Sequence, residues 1–383
     1  MSAPEIYLDN NATTPLAPEA RAAMEPFLSG CYGNPSSVHR KGREAAAALE
    51  RAREAIRAVL GGGPYDIVFT SGGTEANNLA VQGVHRARGT GSRRHFVATT
   101  VEHASVLEAL KRLEELGCEV TLVSVDGEGR VRLDELWEAL RPDTVLLSLI
   151  HVNNELGTVH DLESIAAEAK RRFPRLVVHA DGVQALGKVP LALEHVDLFA
   201  ASGHKLHGPK GIGFLAVRRG AALAPILCGG GHEGGLRSGT QNVAGAVGLA
   251  SAVELADAER EPARARLEAL RERFRACVKE LDGRVNSPPD GVPHTTNVSF
   301  PGIPGEVMLR ALEERGVFVS TASACTNRKR GRSHVLRALG VPSEVSESAI
   351  RVSFSRYTTA GEVEAALTAL RDVRREIAVT ARG

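Results

Sequence analysis

Lys205 is the residue best placed to do covalent chemistry. It lies in Ala201-Ser202-Gly203-His204-Lys205-Leu206-His207-Gly208-Pro209-Lys210-Gly211, directly after the apolar run Val196-Asp197-Leu198-Phe199-Ala200. The chain has eight lysines against 39 arginines. A lysine at a strand end, inside a Gly/His-rich turn, can lose its hydration and become nucleophilic. Such an amine forms a Schiff base with an aldehyde cofactor. A surface turn lysine is the plain alternative, and this segment by itself leaves the two readings even.

Three further segments shift that balance. Asp66-Ile67-Val68-Phe69-Thr70 predicts a short buried strand, Ser71-Gly72-Gly73-Thr74 a turn, and Glu75 to Val81 the start of a helix. Unpaired N–H groups and the positive end of the helix dipole make such a turn an anion site, at Gly73 and Thr74. Arg175-Leu176-Val177-Val178-His179-Ala180-Asp181 is an apolar strand ending in a carboxylate, with Gln184 three residues on. Ligands bind at the carboxyl ends of strands in open α/β sheets. A buried aspartate there needs a cationic partner. A pyridinium nitrogen serves, and the aspartate then strengthens the electron sink of pyridoxal phosphate. Thr99-Thr100-Val101-Glu102-His103 follows another apolar stretch. His103 at a strand end can stack on a cofactor ring and move protons near neutral pH. Each segment alone has an ordinary reading: a βα turn, a helix-capping Asp, a structural His.

Phosphate turn, stacking His, ring Asp and Schiff-base Lys occur in that order, each at the end of a predicted strand. With these residues in place, the chain resembles the cysteine desulfurases of iron–sulfur cluster assembly, within the aminotransferase-like pyridoxal phosphate enzymes. The resemblance runs from Tyr7-Leu8-Asp9-Asn10-Asn11-Ala12-Thr13-Thr14-Pro15 to Ile350-Arg351-Val352-Ser353. Its most specific blocks are Gly33-Asn34-Pro35-Ser36-Ser37-Val38-His39, His151-Val152-Asn153-Asn154-Glu155-Leu156-Gly157, Ser202-Gly203-His204-Lys205, Arg237-Ser238-Gly239-Thr240 and Ser323-Ala324-Cys325-Thr326. Two departures stand out. Gly182-Val183 follows Asp181 where the family often has Ala-Thr, and Ser320-Thr321-Ala322 precedes the Cys block where Ser-Ser-Gly is commoner.

The resemblance implies a role for each matching residue. Lys205 holds the cofactor and moves the substrate Cα proton. Asp181 pairs with the ring nitrogen, Gln184 bonds the ring oxygen, and His103 stacks on the ring and serves in acid–base steps. Gly73, Thr74, Ser202 and His204 bind phosphate, and Thr240 reaches the phosphate of a partner subunit. Asn154 contacts ring oxygen and substrate, and Arg351 clamps the substrate carboxylate as a fork. Cys325 takes sulfur from L-cysteine as a persulfide, alanine leaves, and the sulfur passes to an iron–sulfur scaffold or another acceptor protein. The resemblance implies no resident metal, with a cluster shared by Cys325 only transiently, during transfer. Selenocysteine lyase, another lyase or an aminotransferase of the same fold is the rival reading. A non-catalytic scaffold subunit is the rival from another class, and it is disfavoured by the presence of Lys205, Asp181 and Cys325 together.

Cys325 separates sulfur transfer from general pyridoxal phosphate chemistry. Arg328, Lys329, Arg330 and Arg332 follow it within seven residues. Positive charge favours the thiolate, which is the nucleophile. The segment is polar without an apolar period and is predicted as an exposed loop. Its length resembles the long-loop group of the family.

These residues need a scaffold. From Asp66 to about Val217, predicted strands near 66–70, 95–100, 119–125, 144–150, 176–181, 196–201 and 212–217 alternate with helices. That alternation predicts a mostly parallel seven-stranded sheet covered on both faces. Helices are predicted at Pro18–Leu28 and Arg40–Leu60, and one long helix from Asn242 to Leu281. Beyond Val285 a smaller α+β region follows, with strands at 294–300, 317–320 and 349–354 and helices at 305–315, 333–339 and 360–376. The expected class is α/β of pyridoxal phosphate fold type I. A large cofactor-binding domain is expected at 16–250, and a small domain from 1–15 with 251–383, its cysteine loop near 321–333.

Composition sets bounds on partners. A length of 383 residues favours two domains. The net charge of +1 gives no field for nucleic acid or membranes. Five scattered cysteines, none in Cys-x-x-Cys, argue against a zinc site or disulfide framework and suit a reducing compartment. With no charged segment leading into an apolar one at the start, the cytoplasm is the expected location. A homodimer is expected by resemblance.

Overall fold

The computed structural model describes residues 5–88, 94–321 and 333–380, without the side chains of 378–380. The chain enters through a two-residue strand, β1 (Ile6–Tyr7). All seven apolar runs predicted between 66 and 217 then form strands. They are β2 (Tyr65–Thr70), β3 (His95–Thr99), β4 (Glu119–Val123), β5 (Thr144–Ile150), β6 (Val177–Asp181), β7 (Leu198–Ser202) and β8 (Gly213–Arg218). They join in one sheet in the order β2-β8-β7-β6-β5-β3-β4. β8 runs antiparallel to β2 and β7, and the remaining pairs are parallel.

Alternation along the strands explains why both faces are covered. Ile67, Phe69, Val178, Ala180, Phe199 and Ala201 point into one apolar cluster. Val68, Val177, Leu198, Ala200 and Leu215 point into another. A parallel sheet with two apolar faces must be packed by helices on each side. The fold class is α/β, as expected.

The C-terminal part adds β9 (Arg284–Val285), β10 (Thr295–Ser299), β11 (Val317–Phe318), β12 (Ser320–Thr321) and β13 (Ala349–Ser353). A second sheet runs in the order β12-β13-β10-β9, with all pairs antiparallel. Its apolar cluster includes Ile6, Leu8, Leu267, Phe274, Val298, Leu312, Ile350 and Leu367. Segments at both ends of the chain therefore share one core.

Two expectations are corrected. The single helix at 242–281 is two helices, Val243–Ala258 and Arg260–Glu280, with Glu259 between them at φ −91°, ψ −1°. Pro262 lacks the N–H that would continue the ladder to residue 258, and proline is tolerated only in a first helical turn. The break also moves the chain from one core to another: Leu249 and Val253 lie in the large-sheet core, Leu267 and Phe274 in the other. The strand predicted at 317–320 is also divided. β11 pairs in parallel with β1, and β12 pairs with β13. Among the described residues, no helix is long and apolar enough to cross a membrane.

Candidate active site

The carboxyl ends of β5, β6 and β7 lie side by side, with Ile150 opposite Asp181 and Asp181 opposite Ala200. A cleft of about 210 Å³ opens there. Of the residues singled out from sequence, Gly73, Thr74, His103, Asn154, Asp181, Gln184, Ser202, His204, Lys205 and Arg351 all line it. Thr240 does not line it and is exposed on its own chain. Cys325 and the cations Arg328, Lys329, Arg330 and Arg332 lie outside the described residues.

The wall on the large-sheet side is a chain of hydrogen bonds. Asp181 is 3% exposed. Its Oδ2 accepts from Asn77 Nδ2 at 2.8 Å and its Oδ1 from the Val183 N–H at 3.0 Å. Asn77 Nδ2 also donates to Ser105 Oγ at 2.9 Å, and Ser105 Oγ lies 2.8 Å from His103 Nδ1. His103 caps the helix Ala104–Glu115, its Nδ1 accepting from the Ser105 N–H. Burial lowers the His103 pKa; Asp181 pulls it up and Lys205 pushes it further down. The imidazole is thus biased toward its neutral form.

The expected phosphate turn joins β2 to the helix Gly73–Ala87. Gly72 has φ +154°, and a Cβ on Gly73 would stand 2.6 Å from Val183 Cγ2. Only glycine fits both demands, and the Gly73 and Thr74 N–H groups at the helix start have no intrahelical partner and can meet an anion. Ser202 Oγ would lie 3.6 Å from a Cβ on Gly72, so the hydroxyl stands close beside this turn. His204 has its pKa pushed down to about 4, by burial first and then by Lys205, Lys210 and Lys188. It is a neutral hydrogen-bonding group here.

The opposite wall draws on distant segments. Lys205 ends a short 3-10 turn after β7. Its Nζ donates to the Asn11 and Ala12 carbonyls at 2.6 and 2.7 Å. Asn11 Nδ2 donates to Thr295 Oγ1 and to the Asn154 carbonyl. Arg351, on β13, is 2% exposed. Its Nη2 pairs with Asp9 Oδ1 at 2.7 Å, and its Nη1 donates to the Asn154 carbonyl at 3.2 Å. This burial distinguishes it from a surface arginine on an exposed strand face. Beside it, Glu155 has its pKa raised to about 7, chiefly by burial, and its Oε2 accepts from Ser333 Oγ.

Three observations fit pyridoxal phosphate. Asp181 is buried, and among the described residues no Lys or Arg forms an ion pair with it. A pyridinium nitrogen would complete it. Arg351 Nε is buried without a hydrogen-bond partner and can accept a carboxylate. Gly73 and Thr74 at the helix start line the cleft together with Ser202 and His204, which suits a phosphate group. Sequence reasoning missed Asn77, Ser105 and Asn11. Asn77 carried a signal, since it is a polar residue on the buried face shared by Ala76, Ala80 and Val81.

Comparison with known proteins agrees with this geometry. The Aminotransferase class-V family matches residues 6–366. Cysteine desulfurase IscS of Dictyoglomus turgidum is 42% identical over 374 residues, covering 96% of this chain and 93% of that one. Putative cysteine desulfurase IscS 1 of Bacillus subtilis is 40% identical, with coverage of 96% and 98%. Among solved structures, a NifS-like protein aligns with a TM-score of 0.92 at 38% identity, covering 98% of this chain and all of that one. SspA in complex with cysteine aligns at 0.81 and 34%, covering 92% of this chain and 99% of that one. A family match over most of the chain, together with relatives at this identity and coverage, means that the chain belongs to the class-V aminotransferases and, within them, to the cysteine desulfurase family.

Proposed function

We propose that this chain is a pyridoxal phosphate-dependent cysteine desulfurase that moves sulfur from L-cysteine to Cys325. The observation that carries this reading is the meeting of Asp181, Lys205 and Arg351 in one cleft. Bound pyridoxal phosphate supplies an electron sink for the pair released at the substrate Cα.

The protein's own groups divide the remaining work. Lys205 Nζ is the amine that would hold the cofactor, and once released it takes and returns the Cα proton. Asp181 would hold the ring nitrogen, kept in place by Asn77 and the Val183 N–H. Gln184 serves the ring oxygen, and Gly73, Thr74, Ser202 and His204 the phosphate. A neutral His103 can stack on the ring and accept a proton. Arg351 receives the substrate carboxylate with its planar fork, and Asn154 orients the same group.

The sulfur step balances without an added oxidant. Cys325 thiolate attacks the substrate sulfur and forms an S–S bond. The Cβ–S bond breaks, its electron pair stays at Cβ, and a proton completes the methyl group of L-alanine. Cys325 is left as a persulfide, ready for transfer to a sulfur-acceptor protein such as an iron–sulfur scaffold.

Thr240 is assigned to the phosphate of a second subunit, in a homodimer. Its exposure and its place after a Gly-rich loop support that reading, as do exposed Leu28, Tyr32, Val38 and Leu227. The four described cysteines are free thiols, which suits the reducing cytoplasm.

Purified protein reconstituted with pyridoxal phosphate, given L-cysteine and a thiol reductant, should release alanine and sulfide in equal amounts. Cys325→Ser should stop both while keeping the absorbance change on adding cysteine. Full turnover by that variant would overturn the role of Cys325.

A further inference from the structure

A second, smaller cavity of about 50 Å³ lies against the cleft. Lys188 lines it, Gln184 lines the cleft, and Lys205 lines both. Lys188 Nζ donates to Gln184 Oε1 at 2.6 Å. When protonated this amine can only donate, so in that state the amide oxygen must be the end that faces it. The oxygen faces Lys188, and Nε2 is left to donate to the Asn11 carbonyl at 3.1 Å. That carbonyl also takes Lys205 Nζ at 2.6 Å. One main-chain oxygen thus ties Gln184 to Lys205, with Lys188 behind the amide. The backbone is shaped for this: Gly187 has φ +69°, and a Cβ there would stand 2.5 Å from Ala256 Cβ.

We propose that Lys188 is a positioning residue, which holds Gln184 with its amide N–H toward the cofactor's ring oxygen and places positive charge behind that bond. The inference rests on reading the cleft as the pyridoxal phosphate site. Charge at this position favours negative charge on the ring oxygen, and Gln184 transmits it as a polarised hydrogen bond. An amide turned the other way would present a second acceptor to an anionic oxygen and repel it.

The surroundings of Lys188 are basic. The turn after β7 contributes His204, Lys205 and His207, the segment before β10 contributes His294, and β13 with its following residues contributes Arg351 and Arg356. Arg260 and Arg264 of the helix Arg260–Glu280 line the cavity opposite. Burial, then Lys205, Arg351 and Arg356, pushes the Lys188 pKa down to about 7. His204 and His207 are pushed to about 4 and His294 well below its usual value, so these three are neutral where Lys188 titrates.

The test uses the pyridoxal phosphate-loaded enzyme and reads the pH titration of its visible absorbance. Lys188→Met should raise the apparent pKa of the bound chromophore by about one unit, a tenfold shift in its protonation equilibrium. Lys188→Arg, whose added bulk can enter the small cavity, should restore the wild-type value or lower it. Lys188→Met should also lower kcat about tenfold with KM for cysteine within about twofold. Gln184→Ala should reproduce the absorbance shift, and adding Lys188→Met to it should shift nothing further. A purely structural lysine predicts a lower melting temperature with an unmoved chromophore, and that result overturns the proposal; where Lys188→Met folds poorly, Lys188→Gln carries the same test. If wild-type protein takes up no pyridoxal phosphate chromophore at all, the cofactor reading itself fails, and the inference goes with it.

Discussion

On the large-sheet side of the cleft, Asp181, Asn77, Ser105 and His103 are linked by neutral N–H and O–H groups from neighbouring strand ends and helices. On the other side, Arg351 pairs with Asp9 across 342 residues, and Lys205 reaches main-chain oxygens 194 and 193 residues away. The first wall fixes geometry with little net charge. The second concentrates cations and holds them with distant partners. On the proposed reading the difference divides the labour: the first wall would serve the cofactor, the second the anionic substrate and the amine proposed to do the chemistry.

The largest effect expected from this division is at Asp181. Asp181→Asn should lower kcat about 10²- to 10³-fold, the range for loss of a preorganised electrostatic partner, and loosen cofactor retention. A change confined to KM for cysteine would break the division. Arg351→Lys should raise KM for cysteine about 10- to 100-fold with kcat nearly unchanged, because the fork becomes a single point charge. Steady-state kinetics separate the two. Asn77→Ala should cost about tenfold in kcat, since one bond to a buried carboxylate is lost and the rest of the wall remains. An Asn77→Ala effect as large as that of Asp181→Asn would mean that Asn77 does more than brace the carboxylate.

The smallest effect is on stability and concerns Glu155 in the second wall. Its pKa is raised from 4.5 to about 7, mainly by burial, with Ser333 and Arg351 opposing the rise. A carboxyl whose folded value lies above its unfolded one binds its proton more tightly in the native state. Its stabilising contribution is complete below about pH 4.5 and is lost as pH rises through about 7. Glu102, raised to about 8 by burial, acts in the same direction. Buried histidines such as His204 and His207, lowered to about 4, act in the opposite sense, so the test is a difference: the urea midpoint of Glu155→Gln relative to wild type should rise between pH 5 and pH 7. An identical slope in the variant would show that Glu155 ionises freely in the folded protein.

What could be read in advance follows the same division. The seven large-sheet strands were legible because each is a short apolar run, and their functional side chains follow directly at the strand ends. The second wall was harder. Arg351 could be named only through resemblance, its pairing with Asp9 crosses nearly the whole chain, and Asn11 contributes through a carbonyl that every residue possesses. The break at Glu259 escaped notice because Val243–Ala258 and Arg260–Glu280 are both good helix formers, and the cue lay in Pro262 alone. The two partners of 317–321 are set by tertiary pairing with β1 and β13, which local composition does not encode.

The segment from Ile6 to Thr14 has a consequence for biosynthesis. Ile6 pairs with Val317, Asn10 Nδ2 and the Asn11 N–H bind Ser353, Asp9 binds Arg351, and the Thr14 N–H binds the His204 carbonyl. The large sheet closes with residue 218, so all its strands are synthesised while Ile6, Asp9 and Asn10 still lack Val317, Arg351 and Ser353. At 5–20 residues per second the 133 residues from Arg218 to Arg351 take roughly 7–27 s. In that interval Lys205 is already made, and the segment carrying Asn11 and Ala12 is anchored from the large-sheet side alone, through contacts such as Thr14 to the His204 carbonyl. A chain stalled before residue 317 would thus carry every strand of the large sheet, and Lys205 with it, without β11 to pair its leading strand.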